Sequence, residues 1–89
     1  MKFHSVVVDG ATERLIAAAT ATSTTEGVPK ESGRSLVASA RGVRLYLIAR
    51  QPGLATALLD QIDALMSTVE DEDLRAAYTT LTGDVRRAI

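Results

Sequence analysis

The spacing of apolar residues changes character near residue 50. From Pro52 onward it follows the helical repeat. Pro52 suits the first turn of a helix, and Leu54, Leu58, Ile62, Leu65, Met66 and Val69 form one stripe with Asp60, Gln61, Asp63 and Ser67 away from it. Glu70-Asp71-Glu72-Asp73 then opens a second helix with the stripe Leu74, Ala77, Tyr78, Leu81, Val85 and Ala88 or Ile89. Acids at its start and Arg86-Arg87 at its end both suit the helix dipole. Gly83 is a point where that helix can fray. The short connection predicts an antiparallel helical pair.

The first fifty residues read differently. Residues 2–8 are rich in β-formers and run into Asp9-Gly10, a hairpin signal. Residues 11–25 suit either an alanine-rich helix or a strand. The alternation of Thr20, Thr22 and Thr24 with Ala19 and Ala21 favours the strand. Residues 26–33, with Gly27, Pro29 and Gly33, read as an exposed loop. If Arg41-Gly42 is a two-residue turn, strands 34–40 and 43–49 place Leu36, Ala38, Ala40, Val43, Leu45, Leu47 and Ala49 inward. Ser35, Val37, Ser39, Arg44, Tyr46, Ile48 and Arg50 then point outward. A one-residue slip mixes the two sets, so turn and register agree. The rival is a helix using Leu36, Ala40, Val43 and Leu47, which must carry Gly42 in its middle at roughly 1 kcal/mol relative to Ala. The pattern thus predicts an α+β domain: an antiparallel β-sheet of three to four strands, with the C-terminal antiparallel pair of α-helices packed on one face. A single small domain is expected over residues 1–89, with strands and loop in 1–50 and a helical hairpin in 51–89.

Composition sharpens this in one respect. Aromatics are only Phe3, Tyr46 and Tyr78, so the core rests on aliphatic residues and many alanines, each burying little apolar area. A marginal domain of 89 residues gains from self-association, so a homo-oligomer, most simply a dimer, is the expected state. The absence of cysteine excludes disulfides and thiolate metal sites. No run approaches the ~18 apolar residues of a membrane span, and the first apolar run is too short for a signal peptide. A cytoplasmic location, with no membrane partner, is therefore expected. The net charge of −1 conceals a split: residues 30–50 carry +4, residues 51–89 carry −4 and the first 29 carry −1.

Candidate chemistry is sparse. His4 is the one histidine and has no carboxylate near it in sequence, while Ser5 would point to the other face of a strand. The segment Gly27 to Ser35 differs from a phosphate-binding loop, with five residues between its glycines and Arg34 where that pattern needs lysine. The acids of 70–73 lack the spacing of an EF-hand and read as a helix start. Asp60 and Asp63 read as a solvated face. A helix-turn-helix reading of 38–51 fails because Pro52 ends the recognition helix too soon. No catalytic residue, cofactor or metal is implied. What remains is the outer sheet face of Val37, Arg44, Tyr46, Ile48 and Arg50, of the composition found at interface centres. It predicts a non-catalytic protein–protein interaction or regulatory module that associates with itself or another protein. The alternative is a nucleic-acid-binding regulator using Arg34, Arg41, Arg44 and Arg50 on a phosphate backbone.

Overall fold

The computed structural model describes residues 2–89, with side chains from Asp9 onward. Four helices make up the chain: α1 (Lys2–Ser23), α2 (Lys30–Ile48), α3 (Pro52–Met66) and α4 (Glu72–Ala88). There is no strand among the described residues, so the α+β expectation and its antiparallel sheet are overturned. Short connections make successive helices antiparallel. α1 packs on α2 and α4, and α3 packs on the same two, giving an up-down-up-down bundle. The bundle measures 41 × 20 × 19 Å along its principal axes.

The correction is concentrated before residue 50. The expected strand at 2–8 and the hairpin at Asp9-Gly10 both lie inside α1. The threonine alternation in 19–24 does not signal strand either. Thr20 donates to the Ile16 carbonyl at 2.9 Å and Thr22 to that of Ala18 at 2.8 Å, so both hydroxyls bond back along the helix. The true period is visible in the buried set Ala11, Leu15, Ala19 and Thr22, which recurs every three or four residues.

The expected hairpin of 34–50 is one continuous helix through Arg41 and Gly42. Leu36, Ala40 and Val43 of the rival helical stripe are buried and Leu47 is partly buried, joined by Gly33 and by Ser39, which the strand register had pointed outward. Ala38, Leu45 and Ala49, assigned inward as strand residues, are exposed. Gly42 is tolerated because a neighbour uses the space it leaves: a Cβ there would lie 2.6 Å from Leu58 Cδ1 of α3. Gly33 does the same against α1, where a Cβ would lie 2.9 Å from the Ser23 Cα. Both glycines therefore let helices approach closely, an advantage that offsets their poor helix propensity.

α2 ends in a Schellman arrangement. The Gln51 N–H donates to the Tyr46 carbonyl at 2.7 Å and the Arg50 N–H to that of Leu47 at 3.1 Å. Arg50 occupies the left-handed position, φ 59°, that glycine normally fills. α3 then opens on Pro52 as expected. At α4, the Asp71 carboxylate accepts from the Leu74 N–H at 3.1 Å and caps the helix. Gly83 does not end α4, which runs on to Ala88.

The core lies along the bundle axis and is aliphatic apart from Tyr78. Leu15, Leu59, Ile62, Val43 and Val85 are completely enclosed with it. The Tyr78 hydroxyl lies 2.7 Å from Thr22 Oγ1, joining α4 to α1. Either hydroxyl can serve as the donor of that pair, and Thr22 Oγ1 also lies 2.8 Å from the Ala18 carbonyl. Burial pushes the Tyr78 phenol above its ordinary value, and the bond to Thr22 opposes this.

Candidate functional site: the basic and apolar end of α2

The outward face of α2 is set by helical geometry once its buried side is fixed. Leu36, Ala40 and Val43 face the core, which turns Arg34, Arg41, Arg44, Leu45 and Ile48 toward solvent. Arg34 and Arg41 lie two turns apart on one stripe, and Lys30 lies one turn before Arg34. No ion pair engages any of these cations among the described residues, whereas every arginine of α4 is paired. Three of the four arginines of the nucleic-acid alternative thus share a helix face, and Arg50 lies just past its end.

The interaction set regroups. Val37 is partly buried against the core and leaves the outer surface. Arg44 and Ile48 are exposed, Tyr46 is 37% exposed, and Arg50 projects from the helix terminus. The structure exposes two residues that the sequence pattern turned inward: Leu45, by the strand register, at 65% exposure beside Ile48 at 66%, and Leu54, by the helical stripe, at 48%. Leu54 lies one turn before Leu58, the residue that packs on Gly42, so it belongs to the α2–α3 seam. The seven-residue rhythm Leu36–Val43 and Ala40–Leu47 carried the missed signal, because it excludes Leu45 from the buried stripe. The result is an exposed apolar pair on α2, Leu45 and Ile48 one turn apart, edged by Arg41 and Arg44. Exposed apolar residues that cluster carry more meaning than the same residues scattered.

The opposite end of the bundle has the complementary character. An open groove of about 460 Å³ lies between the α1–α2 and α3–α4 connections. Leu36, Leu65, Met66, Val69 and Leu74 line it together with Glu26, Glu70 and Asp71, and no lysine or arginine does. Of the expected loop of 26–33, only Glu26 to Pro29 are loop; Lys30 to Gly33 already belong to α2, whose first turn adds Ser32 to the groove wall. A phosphate loop is excluded by the same fact: Gly33 is helical, and Glu26 and Glu31 would oppose an anion.

Asp60 and Asp63, expected to form a solvated face, instead clamp α3 to α4. Arg86 Nη2 lies 2.7 Å from Asp60 and 2.8 Å from Asp63. Thr82, fully buried, donates its proton to either Asp63 or the Tyr78 carbonyl, each 2.9 Å away. The hydrogen bond to Asp63 holds Arg86 more firmly protonated than usual, against a smaller opposing effect of burial, with Asp60 adding to it. Arg87 pairs with Asp84 one turn earlier on α4. These groups are satisfied by one another and form a structural clamp.

Among the described residues no three metal-ligating side chains converge, and no helix is long and apolar enough to cross a membrane. The side chain of His4 lies outside the described residues. No family model, curated protein or solved structure matches this chain.

Proposed function

We propose that this chain is a non-catalytic docking module, and that its working surface is the exposed Leu45 and Ile48 corner of α2 with the Arg41 and Arg44 edge. The carrying observation is a contrast between side chains on one short scaffold. The cations of α4 are neutralised locally, but those of α2 form no ion pair among the described residues and flank exposed aliphatic residues. A partner matching both features presents apolar side chains flanked by carboxylates. The apolar contacts would supply affinity, and the arginines steering and register.

A symmetric dimer through α2 is a poor fit to this surface. It would bring Lys30, Arg34, Arg41 and Arg44 of one copy against the same stripe of the other, with Glu31 as the one acid among the exposed residues of that helix. A phosphate backbone suits the arginines but leaves Leu45 and Ile48 without a role.

The test is binding of three synthetic amphipathic helices that share a leucine face and carry acidic, neutral or basic flanks, compared with a single-stranded oligonucleotide. The acidic peptide should bind best and the basic one worst. Leu45→Ser with Ile48→Ser should weaken the acidic peptide about ten-fold, as should Arg41→Glu with Arg44→Glu. Binding that ignores flank charge, or an oligonucleotide that binds more tightly than any peptide with a steep salt dependence, overturns the reading.

A further inference from the structure

We infer that the partner of the apolar and basic corner is a second copy of this chain, received in the groove at the opposite end of the bundle. The inference rests on the docking reading and names its occupant. The two ends carry matching chemistry. At one end Leu45 and Ile48 stand out beside Arg44. At the other, a groove of about 460 Å³ has an aliphatic floor, with Glu26 and Glu70 among its lining residues.

The charge distribution runs the same way along the molecule. Residues 26–34 and 70–75 hold six acids against Lys30, Arg34 and Arg75, whereas residues 41–50 hold Arg41, Arg44 and Arg50 and no acid. Antiparallel connections put the first group around the α1–α2 and α3–α4 loops and the second at the α2–α3 corner. Like ends therefore repel and unlike ends attract. Head-to-tail contact would give each exposed aliphatic residue an aliphatic surface and each free arginine a carboxylate. Such a contact is heterologous: every copy has one corner and one groove, so assembly continues past the dimer unless it closes into a ring.

The geometry makes a specific demand on variants. Leu45→Ser with Ile48→Ser removes the corner and leaves the groove, while Glu26→Lys with Glu70→Lys reverses the groove and leaves the corner. All four positions are exposed, so both variants should keep the wild-type helical circular dichroism. In sedimentation velocity from micromolar to millimolar protein, wild-type mass should rise with concentration without stopping at twice the monomer. It should fall back on adding salt. Each variant alone should remain monomeric. An equimolar mixture should form a 1:1 dimer and grow no further, because the unused halves are a basic corner without leucines and a basic groove.

Wild-type protein that stays monomeric to millimolar concentration overturns the inference, as does a variant mixture that stays monomeric. Association that survives unchanged in both variants overturns it too, since another surface is then responsible. The acidic peptide separates this failure from that of the docking reading. If the peptide still binds at Leu45 and Ile48 while the chain is monomeric, only the second copy is rejected.

Discussion

The α1–α2 and α3–α4 seams are held by different physics. Between α1 and α2 the contact is one of shape: Gly33 lets the α2 backbone reach the Ser23 backbone, and the surrounding residues are mostly alanine, serine and threonine. Between α3 and α4 it is polar as well as apolar, with Arg86 bridging Asp60 and Asp63 over the buried Thr82. A seam built on small residues tolerates no added atom against backbone. One built on long charged side chains tolerates change in shape but responds to charge and salt.

The largest expected effect comes from the first seam. Gly33→Ala places a methyl group against Ser23 backbone that cannot move aside alone, and should destabilise by about 1–3 kcal/mol in urea denaturation. Gly42→Ala is the sharpening control. Its obstacle is a flexible Leu58 methyl, and alanine improves helix propensity, so the net change should stay within about 0.5 kcal/mol. Had Arg41-Gly42 been a hairpin turn, that substitution would be clearly unfavourable.

On the second seam, Arg86→Ala should cost about 1 kcal/mol, and the difference from wild type should shrink in high salt because the pairs are partly exposed. Gly33→Ala should show no such salt dependence. Tyr78→Phe, on the α1–α4 contact, should cost about 1 kcal/mol near neutral pH by removing the hydroxyl that pairs with Thr22. Its pH signature has a definite sign. The folded-state value of Tyr78 is raised, so its contribution is complete below the ordinary tyrosine value near 10 and is lost as pH climbs through the higher folded value. The gap between wild type and Tyr78→Phe should therefore narrow only in alkali, as followed by thermal melts across pH. The one expected gain is also small. Arg50→Gly relieves the left-handed residue after α2 and should stabilise by about 0.5 kcal/mol.

The same contrast accounts for what could be read in the sequence. The second half announced itself through Pro52, acids at the start of α4 and arginines at its end, all local signals whose meaning does not depend on distant residues. The first half is made of residues whose preference is decided elsewhere. Thr20 and Thr22 look strand-like until their hydroxyls bond back to Ile16 and Ala18. Gly42 looks like a turn until Leu58, sixteen positions later, occupies the space above it. Four residues of the expected interaction set, Arg44, Tyr46, Ile48 and Arg50, still lie near the end of α2, because i+4 neighbours on a helix and i+2 neighbours on a strand overlap over so short a span. Val37 dropped out and Leu45 entered for the same reason. The groove left no trace in the sequence, since its walls come from two loops forty residues apart.

The docking surface and the α1–α2 seam depend on α2 running unbroken through Arg41 and Gly42. Backbone chemical shifts of residues 38–46 in solution test that continuity most directly. The bundle predicts helical shifts at every one of these positions, with sequential amide contacts and Ala40–Val43 Hα-to-amide contacts crossing the glycine. Extended shifts on both sides of a turn at Arg41-Gly42, with Ala38 cross-strand to Leu45, would contradict it.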